Sequence, residues 1–320
     1  LLAQGKKRPD QLLEMSRLPA VPTMPDAFPQ VVGTQVFGPA YKFTKDEAVL
    51  EAAKGISAMG SRILKINAVS GQQLTPYIAM PFTHYVLWYR STNDWTKGFT
   101  PELKRREYNA VYLFTKDLLT RYDTAGKTFF LGHWEGDWYL LPDKDVKKDA
   151  SPELIAAMIE WLNIRQKAVD DARAEVSYAK CRVYTYTEVN RVRDAMKDGR
   201  KRLVNAVLPK ANVDFVSYSA YDCQLLPVEE IRATLDYVNA QLPAKAGLPA
   251  KRVFIGECGL SWKACGGDGV KHDQRNREIL AKFMTWKPAM TLFWQYYNNE
   301  VIDGEQVGFW LVDNKNNKTP

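Results

Sequence analysis

The chain has 320 residues, 46% of them hydrophobic, enough to bury the core of one barrel-sized domain or of two ordinary ones. No apolar run approaches the roughly 18 residues that span a bilayer, so no membrane span is expected. The net charge of +7 comes from 44 basic and 37 acidic residues. Its densest runs, Lys104-Arg105-Arg106 and Arg200-Lys201-Arg202, fall in predicted helical stretches and read as solvated faces, not as a nucleic-acid surface.

Leu1-Leu2-Ala3-Gln4 reads as the tail of an apolar secretory segment ahead of a mature start, so a secreted or periplasmic protein is expected. Residues 1–30, rich in proline, are expected to form an amino-terminal extension that wraps the outside or covers a barrel floor. From residue 31 to 320, short β-branched and aromatic runs alternate with amphipathic stretches. The predicted strands are Val31 to Phe37, Arg62 to Ala68, Tyr85 to Arg90, Lys127 to His133, Arg182 to Thr187, Val213 to Ser219, Arg252 to Gly256 and Met290 to Tyr296. Between them, Thr44-Lys45-Asp46-Glu47 has the form of a capping box. Thr100-Pro101 and Ser151-Pro152 each pair a capping residue with proline at the first helical position. Leu154, Met158, Trp161, Leu162, Arg165, Ala168 and Ala172 fall on one helical stripe. A helix over Arg193 to Val207 is interrupted by Gly199. Where a helix after the eighth strand would begin, the chain has Lys318-Thr319-Pro320, so that helix is either missing or replaced by the amino-terminal segment.

Eight strands with intervening helices, no linker and no glycine-rich dinucleotide fingerprint predict an α/β fold, a single-domain (β/α)₈ TIM barrel. Cys258 and Cys265 are close enough to close a small loop, while Cys181 and Cys223 lie apart with no C-x-x-C spacing; one disulfide or four free thiols are both open. Three histidines argue against a metal site, and His133 and His84 read as structural. No cofactor is expected.

Two strands end alike. The fourth runs Phe129-Phe130-Leu131-Gly132-His133-Trp134-Glu135-Gly136-Asp137-Trp138; the seventh runs Arg252-Val253-Phe254-Ile255-Gly256-Glu257-Cys258-Gly259. A barrel draws its catalytic groups from carboxyl ends of strands, and two carboxyl groups are the minimal apparatus for cleaving a glycosidic bond. This pattern resembles the clan of retaining glycoside hydrolases whose acid/base and nucleophile glutamates end strands four and seven. The resemblance implies Glu135 as acid/base and Glu257 as nucleophile, acting on a β-linked oligosaccharide or polysaccharide by double displacement. The clan's usual Asn before the acid/base is here Trp134, so the contact to the sugar 2-hydroxyl would fall to another group, such as Asn190. Trp294, near the end of the eighth strand, takes the place of the clan's tryptophan floor under the sugar. Trp88 ends the third strand, and Trp95, Trp138 and Trp262 lie in loops on the same face, as a sugar-binding rim would. A tyrosine after the sixth strand, Tyr221 or its rival Tyr218, would hold the nucleophile ionised. Asp137 would bind a sugar hydroxyl or cap the next segment, and Glu188 and Asn190 add polar groups to the mouth. The Trp134 departure keeps alternatives open: a non-catalytic carbohydrate-binding barrel, or another carboxylate-dependent barrel hydrolase or lyase.

Overall fold

The computed structural model describes residues 31–91 and 94–319, so the expected secretory tail and amino-terminal extension lie outside the described residues. Eight parallel strands close into a barrel in chain order: β1 (Val32–Gln35), β2 (Ile63–Ala68), β3 (His84–Tyr89), β4 (Thr128–Gly132), β5 (Arg182–Val189), β6 (Phe215–Ser219), β7 (Val253–Cys258) and β8 (Thr291–Phe293). The ring closes where β1 pairs with both β2 and β8. The longer helices outside it are α1 (Ala48–Ala58), α2 (Pro101–Arg121), α3 (Pro152–Glu175), α4 (Val192–Asp198), α5 (Val228–Ala240) and α6 (Gly269–Met284). This is a single-domain (β/α)₈ barrel, and all eight predicted strands are present.

Each strand is buried on both faces, which is why the strands read as nearly continuous apolar runs. Ile63, Val86, Phe130, Phe254 and Leu292 fill the barrel interior. Their neighbours Leu64, Leu87, Phe129 and Leu131 point outward into the layer beneath the helices. The two proline-started helices begin as predicted: Thr100 Oγ1 accepts from Leu103 N at 3.3 Å and Ser151 Oγ from Leu154 N at 3.2 Å. Each such cap contributes about 1 kcal/mol.

Several local readings need correction. No capping box forms at Thr44: Glu47 caps α1 by itself, accepting from Val49 N and Leu50 N. Thr44 is claimed instead by buried Glu51, which also accepts from Phe43 N and the Tyr297 hydroxyl. The interruption expected at Gly199 is present: a left-handed φ of 63° there ends α4 at Asp198, and the chain is helical again, in a wider turn, over Leu203–Val207. Arg202 is not on a solvated face. It is fully buried, pairing with Asp194 and donating to the carbonyls of Val146, Lys148 and Lys201. Among the described residues no helix follows β8; the hairpin of β9 (Val301–Ile302) and β10 (Glu305–Gln306) does, and Leu311 N then donates to Tyr296 O at 3.0 Å. All four cysteines are buried free thiols. No helix among the described residues is long and apolar enough to cross a membrane.

Candidate active site

The carboxyl ends of β2, β4, β5, β6 and β7 converge on one polar cluster above the apolar barrel interior. At its centre is Lys65, fully buried on β2. A lysine there is tolerable only if its ammonium is matched, and all three of its protons are used. Nζ donates to Glu188 Oε2 at 3.0 Å, to Gly256 O at 3.0 Å and to Glu257 Oε1 at 3.4 Å. It also sits 4.9 Å from the centre of the Trp88 ring.

Sheet register brings these partners together. Glu188 on β5 pairs with Ser217 on β6, and Ser219 pairs with Glu257 on β7. Glu188 accepts from Lys65, from Ser217 Oγ at 2.7 Å and from the Glu135 backbone N–H at 3.1 Å. Packing is so close that a Cβ at position 256 would lie 1.7 Å from Ser217 Oγ and 3.0 Å from Glu188 Oε2; only glycine fits between the nucleophile candidate's strand and this cluster.

The two glutamates singled out from the strand ends share this site but differ in company. Glu135 is 9% exposed, and its Oε2 accepts from the Trp138 indole N–H at 2.6 Å. Burial, reinforced by the negative charge of Glu188, pushes its carboxyl up to about 7. Glu257 is 3% exposed; its Oε2 accepts from the Tyr221 hydroxyl at 3.2 Å. Burial raises it above the ordinary carboxyl range too, with Lys65 the strongest opposing influence. Each carboxyl acts on the Tyr221 hydroxyl, and Glu135 acts directly on Glu257. Of the rival tyrosines, Tyr221 meets Glu257, whereas Tyr218 is bonded to Asp222.

Other expected site residues are placed differently. Asp137 is fully buried and receives the N–H groups of Leu203, Asn190 and Arg191, so it caps backbone and has no room for a sugar hydroxyl. Asn190 Oδ1 returns the contact by accepting from Asp137 N. Glu188, expected to meet substrate, is fully buried beneath Glu135 and Glu257. Trp95 belongs to the core, stacked on Trp161 with ring centres 5.1 Å apart. Trp262 neighbours Trp310 along a separate cavity of about 490 Å³. Trp294 is only 8% exposed, hydrogen-bonded to Glu300 and packed against Phe37 and Trp88. Phe37 lies on Trp88 with centres 3.7 Å apart. The indole of this group that faces solvent is Trp134, 39% exposed and 6.5 Å from Trp88. His133 is structural, held by Thr187 Oγ1 and Trp134 O.

Lys65, Ser217 and Phe37 were missed from sequence. The available signal for Lys65 was a lone charge in an apolar strand, Ile63-Leu64-Lys65-Ile66. Among the described residues no group of histidine, cysteine and acidic side chains could hold a metal ion.

No family model matches the chain, and no curated protein matches it in sequence. Solved structures do resemble it. An endo-1,4-beta-xylanase of Penicillium canescens superposes with a TM-score of 0.53 at 13% identity, covering 90% of each chain. A Bacteroidetes-affiliated GH5 cellulase gives 0.55 at 12% identity, over 89% of this chain and 85% of the other. A broad-specificity endoglucanase of Ruminococcus champanellensis, solved with cellotriose, gives 0.53 at 13% identity over 88% and 91%. The chain thus shares its barrel fold with glycoside hydrolases; at such identity the likeness is one of fold.

Proposed function

We propose that this protein is a retaining glycoside hydrolase acting on a β-linked oligosaccharide or polysaccharide, with Glu135 as acid/base and Glu257 as nucleophile. One observation carries the reading: two buried carboxyls that sense each other's charge hang from β4 and β7 with unequal partners. Burial raises both carboxyls; on this reading Glu257 is the one that works ionised, because the Lys65 ammonium and the Tyr221 hydroxyl that it touches favour the charged form. Glu135, facing an indole and raised to about 7 by burial and by Glu188, would hold its proton near neutral pH.

In the first step Glu135 gives its proton to the glycosidic oxygen as Glu257 bonds to the anomeric carbon, and the aglycone leaves as an alcohol. In the second, Glu135 takes a proton from water, the water oxygen bonds to the anomeric carbon, and Glu257 departs as carboxylate. Trp134 supplies the exposed apolar face on which a sugar ring could lie. The fold shared with a xylanase, a cellulase and an endoglucanase supports a saccharide substrate.

The test is a panel of aryl β-glycosides and β-linked oligosaccharides, followed by NMR of the first-formed sugar. Turnover with retained β configuration is expected. Binding without turnover across the panel would favour a carbohydrate-binding barrel, and an inverted first product would eliminate the double displacement.

A further inference from the structure

We propose that Glu188 is a positioning residue whose carboxylate, bonded to Lys65, to Ser217 and to the Glu135 N–H, sets which of Glu135 and Glu257 carries the site's proton. This rests on the hydrolase reading above and concerns the same site. Both oxygens of Glu188 are committed, Oε1 to the Glu135 N–H and Oε2 to Lys65 and Ser217. The side chain is wholly buried, so it acts on substrate only through its neighbours. Lys65 lies nearer Glu188 (3.0 Å) than Glu257 (3.4 Å). The cation is therefore divided between a carboxyl that reacts and one that does not. When Glu257 becomes an ester it no longer balances Lys65, and Glu188 still does. The same charge acts on Glu135 by raising its affinity for a proton.

The groups facing Glu135 are Glu188 from β5, Lys65 from β2, Glu257 from β7, Tyr221 after β6 and Asp137 on its own loop. Tyr186, His133 and Tyr139 also feel Glu188, and all three are neutral in the working range. Burial holds His133 down near 4, and it raises both tyrosine hydroxyls.

The Trp138 indole N–H, bonded to Glu135 Oε2, reports the Glu135 proton without any turnover. Its ¹H–¹⁵N signal, assigned with Trp138→Phe, should titrate with a midpoint near 7 in the native protein. In Glu188→Gln the midpoint should fall by about one pH unit, and in Glu188→Asp it should stay close to the native value. The pH–rate profile on an aryl glycoside should move the same way. A folded Glu188→Gln protein with an unmoved midpoint would overturn the proposal, leaving Glu188 a packing residue. Should that variant not fold, Lys65→Met decides: removal of the cation should raise the midpoint, and an unchanged one counts against the proposal. A glycoside panel without turnover would sink the hydrolase reading and leave this one to the indole titration.

Discussion

The ends of β4 and β7 present the same side chain in opposite surroundings. At the β7 end, Glu257 touches a buried ammonium and a phenol, and its strand is pressed against the Lys65–Glu188–Ser217 cluster through Gly256. At the β4 end, Glu135 projects three residues beyond the last strand residue, Gly132, with one indole N–H for its carboxyl. Burial raises both. What separates them is the number and charge of the donors, and on the proposed reading that difference is what would turn two equivalent carboxyls into an acid and a nucleophile.

The comparison is broken most severely at β7. If Glu257 is the proposed nucleophile, Glu257→Gln should lower turnover by roughly 10⁴-fold or more on every substrate, since the amide cannot form the bond to the anomeric carbon. Glu135→Ala should cost about 10²–10⁴-fold on substrates with poor leaving groups. It should spare the first step for activated aryl glycosides, and added azide should restore turnover and give a β-glycosyl azide. Equal losses for both variants on activated substrates, with no azide product, would mean that the two ends do not differ as described.

A thermodynamic test separates them next. Glu135 has a folded-state pKa of about 7 against an ordinary 4.5, so the folded chain holds the proton more tightly than the unfolded one. Its contribution to stability is complete below about pH 4.5 and is lost as the pH rises through 7. Glu135→Gln, which cannot ionise, should therefore match the native protein in thermal unfolding at pH 4.5 and exceed it at pH 8, by up to about 3 kcal/mol. A variant no more stable at pH 8 than at pH 4.5, relative to native, would show that Glu135 is not strained by burial.

The fold was legible because a closed parallel barrel buries both strand faces, so each strand announces itself as an apolar run between helical periods. The strand-end glutamates were legible for the same reason: a charge that terminates such a run stands out. Side chains that answer each other across the barrel were not. Lys65 and Glu188 lie 123 positions apart, and no local pattern says that their strands put them within hydrogen-bonding distance. Asp137 stayed ambiguous because a carboxyl serving three backbone N–H groups looks in sequence the same as one awaiting substrate. Trp95 misled: its loop position suggested a rim, while α3 supplied Trp161 to cover it.

The smallest expected effect sits on the single donor at β4. The Trp138 N–H bond at 2.6 Å favours the ionised form of Glu135, opposing burial and Glu188. Trp138→Phe keeps an aromatic ring beside the carboxyl but removes that donor. The Glu135 pKa should then rise further, by roughly one unit for the loss of one hydrogen bond to a carboxylate. On the proposed reading Glu135 must be protonated to begin the reaction, so the alkaline limb of kcat/KM would report its loss of that proton in the free enzyme. That limb should move to higher pH while the acidic limb, which the proposal assigns to Glu257 with its contacts to Lys65 and Tyr221 intact, stays in place. The profile should broaden on one side only. Movement of both limbs together would mean that the indole bond acts on the coupled pair as a whole, and the division of donors between β4 and β7 would then be less complete than their contacts imply.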